Sequence, residues 1–212
     1  MIKTILFDAD GTLLDTKELI IETLNRVFAE IFPDVKISRE EKIKIFFGPP
    51  LNRSLSNFVK TEEELENAIS VYRRHNIELH DSYVKAFAGA KDTLRFLKKN
   101  GIKTGVVSSK FHAVVKKGLI LCGIDEYIDV IIGLDDCDEA KPSAAPILKA
   151  IEELKSKPKE TLYVGDHVND IEAGKRAGVS TCAVTYSDFI KDLLAINPNY
   201  VIDELRNLKD IF

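Results

Sequence analysis

The sequence predicts an α/β protein with a doubly wound, Rossmann-like parallel sheet and an inserted helical cap, and three observations carry that expectation. Short apolar runs alternate with helical segments through residues 87–212; residues 16–86 contain no strand-like run and keep helical spacing; carboxylates, hydroxyls and lysines follow directly on the apolar runs. Alternation of this kind builds a parallel sheet with helices on both faces, and ligands then bind beyond the carboxyl ends of the strands. The expected domains are residues 1–15 with 87–212 as the core and 16–86 as the cap.

Ile2 to Phe7 reads as the first strand because the run is apolar on both faces, as a strand buried between two helical layers must be. In the insert, Ile20, Leu24, Val27, Phe28 and Ile31 make one apolar stripe that ends before Pro33. Ser38 with Glu41, and Thr61 with Glu64, have the spacing of capping boxes, and Leu65, Ala68, Ile69 and Tyr72 continue the helix that Thr61 opens. Hinges are expected near Leu14 to Lys17 and Asp81 to Phe87, where the insert leaves and rejoins the core.

Beyond the insert, a helix from Ala90 to Lys99 stops at Asn100-Gly101, and Ile102 to Val107 forms the next strand. A helix from Phe111 to Leu121 ends at Gly123 and leads to a strand at Ile128 to Ile132. Ser143 opens a helix with Ile147, Ala150, Ile151 and Leu154 on one face. Leu162 to Val164 and Cys182 to Thr185 are the remaining strands, separated by a helix from about Asp170 to Ala177 that stops at Gly178.

Bulk properties narrow the function. A chain of 212 residues with 45% hydrophobic and 30% charged residues is an ordinary globular protein. Its net charge of -4, with Lys and Arg interleaved among Asp and Glu, argues against an extended nucleic-acid footprint and for a small ligand. The opening MIKTILFDADG is too short and wrongly flanked for a signal peptide, and no run of 18 apolar residues exists, so a cytoplasmic protein without a membrane partner is expected, as monomer or homodimer. Cys122, Cys137 and Cys182 are odd in number and widely spaced, and read as buried free thiols.

Four segments carry the chemistry. The first strand ends in FDADG, so Asp8 and Asp10 stand at its carboxyl edge before a turn at Gly11. A lone Asp-Gly is a turn former, whereas two carboxylates together can hold a divalent cation and divide nucleophile and acid/base roles. The second strand ends in VVSSK, where the Ser108 hydroxyl and the Ser109 amide suit a phosphate oxygen or, alternatively, a helix N-cap. Lys141, before Pro142, is either a solvated lysine or a cation that neutralises a nucleophile and a transferring phosphoryl group. VGDHVND brings Asp166 and Asp170 to the same edge, and such hard oxygen ligands suit Mg2+. His167 between them reads as a group on the substrate side or behind the ligands; His75, His80 and His112 lack metal spacing.

Taken together, the DADGT, Ser108, Lys141 and GDHVND segments resemble the haloacid dehalogenase superfamily of phosphatases over nearly the whole chain, helical cap included. FFGPPL at 46–51 and the DDCDEAKP run are most similar to its phosphoglycolate phosphatase group, and within it to bacterial pyrophosphatases. The resemblance implies that Asp8 attacks phosphorus and that Asp10 protonates the leaving group and then activates water. It also implies that Gly11 and Thr12 support the turn, that Ser108, Ser109 and Lys141 hold the phosphoryl group, and that Asp8, the Asp10 carbonyl, Asp166 and Asp170 hold magnesium. Two departures, Ala144 after Ser143 and Ala88 before Gly89, each stand where the family has proline, and neither removes a reacting group.

The expected substrate is a small phosphorylated metabolite, phosphoglycolate or inorganic pyrophosphate. A dehalogenase would lack the second aspartate, which Asp10 supplies; a phosphomutase is the nearest enzymatic rival, and a phospho-receiver domain, smaller and capless, the non-enzymatic one. Arg53, beyond the Gly48-Pro49-Pro50 turn, is the candidate reader of substrate charge, because a guanidinium grips a second anionic group in bidentate fashion.

Overall fold

The computed structural model describes residues 1–211 and divides into two compact units, one formed by Met1–Asp15 and the chain from Lys85 onward, the other by Thr16–Val84. The chain opens with strand β1 (Thr4–Phe7), four residues buried on both faces, and a two-residue strand β2 (Leu14–Asp15). Four helices follow, α1 (Lys17–Ile31), α2 (Arg39–Phe46), α3 (Leu51–Leu55) and α4 (Glu62–Tyr83), and then β3 (Lys85–Ala86), which pairs antiparallel with β2 inside the first unit. The α/β alternation then runs α5 (Ala90–Lys99), β4 (Lys103–Val107), α6 (His112–Leu121), β5 (Val130–Ile132) and α7 (Ala145–Glu153). It closes with β6 (Thr161–Gly165), α8 (Val168–Ala177), β7 (Ser180–Val184), α9 (Ile190–Ala195) and β8 (Tyr200–Ile202).

The six long-range strands form one parallel sheet in the order β5-β4-β1-β6-β7-β8. From β1 the chain first builds outward through β4 and β5, then crosses back to β6 and builds the other way. The order reverses around β1, so its carboxyl end is the crevice in which such sheets bind ligands. Register fixes what meets there: Phe7 pairs with Val106 on one side and Val164 on the other, which sets Asp8 level with the ends of β4 and β6.

Side chains on one face of the sheet, among them Leu6, Val107, Ile132 and Tyr163, pack against Ile147, Ala150 and Ile151 of α7. Ala183 of β7 packs with Ile171 of α8 and Leu193 of α9. The helical unit has a core of its own, where Leu24, Phe28 and Phe46 meet Leu55, Ala68 and Tyr72. Both expected capping boxes are formed: Glu41 N–H donates to Ser38 Oγ at 3.1 Å and Ser38 N–H to Glu41 Oε2 at 2.8 Å, and Thr61 and Glu64 exchange the same bonds at 3.2 and 3.3 Å.

The structure departs from the sequence reading in several places, one of them strand β3, which lies within residues 16–86 where no strand was expected. Helix α8 starts at Val168, two residues early, because the His167 imidazole caps it. Helix α7 starts at Ala145, with Ser143 Oγ accepting its N–H at 3.2 Å. Strand β8 is absent from the sequence reading although Tyr200-Val201-Ile202 is a short apolar run; it is an edge strand with Tyr200 and Val201 exposed. Of the three thiols, all free, only Cys182 is buried and the other two are half-buried. Among the described residues no helix is long and apolar enough to cross a membrane.

Candidate active site

Asp8 continues the β1 ladder by one residue, its N–H donating to Val164 O at 2.9 Å, and this fixes the carboxylate at the strand end. The chain then turns on Ala9 O, which accepts from Leu13 and Leu14 N–H at 3.1 and 2.8 Å. Gly11 makes the turn with φ of +82°, a left-handed conformation that favours glycine. A Cβ there would also strike the Asp166 carboxylate. Thr12 is fully buried; its hydroxyl donates to Asp166 Oδ1 at 3.2 Å and its carbonyl accepts from Tyr186 OH at 2.9 Å. The turn residues expected near substrate therefore lie against Asp166.

Lys141 is the hub. Its Nζ, almost wholly buried, lies 2.6 Å from Asp8 Oδ1, 2.7 Å from Asp170 Oδ1, and 3.1 Å from both Val107 O and Tyr163 OH. Three ammonium protons face four acceptors, so the cation is held whichever one releases it. Tyr163 OH in turn donates to Val107 O at 3.0 Å.

Carboxylate oxygens of Asp8, Asp166 and Asp170 all lie within 4.8 Å of one another. Burial pushes the Asp8 pKa up to about 7, opposed by Lys141 and reinforced by Asp170 and Asp10. Burial, then repulsion from Asp8 and Asp170, raises Asp166 well above the usual carboxylate range. Burial works against the Lys141 charge, yet Asp170 and Asp8 outweigh it and hold its pKa well above that of a free lysine. One lysine thus faces three clustered carboxylates. An oxygen-only donor set with surplus negative charge fits a hard divalent cation such as Mg2+.

Asp170 serves three neighbours, with Oδ1 on Lys141 and near Tyr163 OH and Oδ2 accepting from His167 N–H at 3.0 Å. Gly165 allows this approach, since a Cβ there would meet the Asp170 side chain. His167 Nδ1 accepts from Asn169 N–H at 3.1 Å, and its ring meets the edge of Phe189 at 4.8 Å. Burial lowers its pKa, which favours the neutral form that such a cap needs. It is a helix cap behind the site.

At the end of β4, Ser108 is buried, with its N–H on Ile132 O at 2.9 Å and its Oγ accepting from Lys110 N–H at 3.1 Å. The amides of Ala9 and Ser109 have no acceptor among the described residues, which leaves two donors beside Asp8 and Ser108. Asp10 Oδ1 accepts from Lys110 Nζ at 2.7 Å. Arg53 is exposed on α3 of the helical unit, with its N–H on Asn52 Oδ1 at 2.9 Å.

Sequence reasoning missed Lys110, Tyr163, Tyr186 and Ser187. Lys110 directly follows the two serines in VVSSK, and that adjacency was a usable signal. Tyr163 inside an apolar strand reads as core, and only the fold aims its hydroxyl at Lys141. Ser187, in the loop after β7, donates to Asp166 O and so braces the backbone of that residue.

Residues 5–184 match the family model of haloacid dehalogenase-like hydrolases. Pyrophosphatase PpaX of Halalkalibacterium halodurans is 38% identical over 214 residues, covering 99% of this chain and 96% of its own. Pyrophosphatase PpaX of Oceanobacillus iheyensis is 40% identical over 211 residues, 98% and 95% of the two chains. Among solved structures, a haloacid dehalogenase-like hydrolase from Bacteroides fragilis superposes with a TM-score of 0.90 at 29% identity, over 98% of this chain and 100% of the other.

Proposed function

The chain belongs to the haloacid dehalogenase-like hydrolases, and from that premise we propose that it is a magnesium-dependent phosphatase acting on inorganic pyrophosphate through an aspartyl-phosphate on Asp8. The observation that carries the reading is Asp8 itself, a buried carboxylate at the strand end with Lys141 at 2.6 Å and two further carboxylates beside it. Relatives named as pyrophosphatases along nearly the full length support the substrate. Phosphoglycolate, whose leaving group also carries a second anion, is the alternative substrate.

Asp8, Asp166 and Asp170, with the Asp10 carbonyl, would hold Mg2+, whose charge when bound offsets that of the phosphoryl oxygens and of the carboxylates themselves. Asp8 attacks phosphorus through a carboxylate oxygen. The bond from phosphorus to the bridging oxygen breaks, and that oxygen leaves with the electron pair and takes a proton from Asp10. A water then attacks the same phosphorus and gives its proton to Asp10, and the bond to Asp8 breaks to release phosphate. Enzymes of this kind lower the barrier by roughly 20 kcal/mol, more than any one group supplies. Released from Asp8, Lys141 can turn one of its three protons toward the phosphoryl oxygens while Asp170 and Val107 O hold the other two. The Ser108 hydroxyl and the Ala9 and Ser109 amides are donors set for the same oxygens. Thr12 and Gly11 act through Asp166.

Arg53 is proposed, on the sequence alone, as a reader of substrate charge from the helical unit; Arg53→Ala should then raise KM for pyrophosphate about tenfold. The reading as a whole is tested by screening phosphorylated metabolites with Mg2+ for phosphate release, reported as relative kcat/KM, with Asp8→Asn as the control. Pyrophosphate or phosphoglycolate should lead and Asp8→Asn should be inactive. An isomerised sugar phosphate without free phosphate would make the chain a mutase, and a stable phosphoprotein without turnover would make it a receiver.

A further inference from the structure

Resting on the phosphatase reading above, we propose that Lys110 is a specificity residue that binds the second anionic group of the substrate's leaving group. In an in-line displacement the attacking and leaving oxygens lie on opposite sides of phosphorus. The site holds a lysine for each of its two reacting aspartates. Lys141 is bonded to Asp8, the nucleophile, and Lys110 to Asp10, the acid that must reach the leaving oxygen. With its Nζ 2.7 Å from Asp10 Oδ1, Lys110 stands on the leaving-group side.

Burial separates the two cations. The Lys141 side chain is 4% exposed, whereas Lys110 and Asp10 are 23% and 21% exposed, so Lys110 is the one that an incoming group reaches. The Lys110–Asp10 pair is only part-buried, so solvent reaches it as it does not reach the Lys141 set. Yet the backbone beneath it is fastened on both sides. Lys110 N–H donates to Ser108 Oγ at 3.1 Å and Lys110 O accepts from Leu134 N–H at 2.8 Å. His112 N–H donates to Asp135 Oδ1 at 2.7 Å and its imidazole pairs with Asp136 at 2.8 Å, tying the start of α6 to the segment after β5. A long flexible side chain is thereby launched from a fixed point toward the acid.

The chemistry of the leaving group follows. A plain alcohol or phenol presents one oxygen to Asp10 and nothing to a neighbouring ammonium. A departing phosphate, or a glycolate with its carboxylate, presents further anionic oxygens that an ammonium binds strongly. Lys110 therefore selects substrates whose leaving group carries a charge of its own.

The test compares kcat/KM for pyrophosphate and phosphoglycolate with that for phenyl phosphate, in the full chain with Mg2+, for the unmodified protein, Lys110→Met and Lys110→Arg. The ratio of anionic to plain leaving groups should fall about tenfold or more in Lys110→Met and stay within about threefold in Lys110→Arg. Because it is a ratio, it cancels any difference in folded fraction and any loss common to all substrates. An unchanged ratio in Lys110→Met would overturn the inference and leave Lys110 as a positioning residue for Asp10; a ratio as depressed in Lys110→Arg would overturn it as well. Failure of the phosphatase reading looks different: the unmodified chain would release no phosphate from any of the three substrates, and both readings would fall.

Discussion

Lys141 Nζ stands 2.6 Å from Asp8 Oδ1 in a site where both side chains are nearly excluded from water, and the same ammonium reaches Asp170 at 2.7 Å. A buried cation shared by two carboxylates is costly to assemble, since each ion loses its hydration, and breaking such a set by removing one member leaves an uncompensated charge. The arrangement restrains Lys141 while allowing it to release Asp8, because Val107 O and Tyr163 OH remain as acceptors.

Tyr163→Phe removes one of the four acceptors around Lys141 and the donor to Val107 O, with little change in volume. Unfolding free energy should fall by about 1 kcal/mol, the net contribution of a buried hydrogen bond. We expect kcat to drop about tenfold with KM within about twofold, since Lys141 is less well held when it must turn to the phosphoryl group. Steady-state kinetics and urea melts measure both; a KM effect alone would assign Tyr163 to substrate binding.

Gly11→Ala places a methyl group against the Asp166 carboxylate in a backbone with φ of +82°. Left-handed backbone costs a non-glycine residue about 1–2 kcal/mol, and the displaced Asp166 should weaken Mg2+ binding as well. Calorimetric titration with Mg2+ should show at least about tenfold weaker affinity. Unaltered affinity would show that Asp166 does not depend on the turn.

Asp10→Asn removes the proton donor and keeps the shape. Loss of rate should be about 10²- to 10⁴-fold for a poor leaving group and much smaller for one that is already acidic. A series of aryl phosphates of graded leaving-group acidity gives the slope, and equal losses across the series would count against Asp10 as the acid.

Asp8 has a folded pKa of about 7, raised from 3.8 chiefly by burial and offset in part by Lys141. With a raised carboxyl pKa the folded state binds the proton more tightly than the unfolded state does. Its contribution to stability is therefore lost as pH rises from about 4 to about 7, and does not change further above that. Asp166 is shifted in the same direction. Without Mg2+, Asp8→Asn should accordingly gain stability relative to the unmodified protein between pH 5 and pH 8. Mg2+ should raise the melting temperature of the unmodified protein more at pH 8 than at pH 5, by stabilising the charged carboxylates. Thermal melts at the two pH values, with and without Mg2+, decide it; a constant difference between the two proteins would mean that Asp8 is charged throughout.

Much of the fold is written in local pattern. Continuous apolar runs announced five of the six strands of the main sheet, and the capping boxes at Ser38 and Thr61 formed as their spacing required. The edge strand β8 escaped, because three apolar residues between polar neighbours are too short a run to separate a strand from a loop. For the site, the sequence alone determined which carboxylates, hydroxyls and lysine end the strands, because motif spacing and strand polarity are one-dimensional properties. Only the tertiary structure decided that Lys141 bridges Asp8 and Asp170, that Tyr163 from the core and Ser187 from a loop support the site, and that Lys110 pairs with Asp10. Those contacts join residues up to 133 positions apart. Strand order and register bring them within hydrogen-bonding distance, and neither is encoded in the spacing of any one segment.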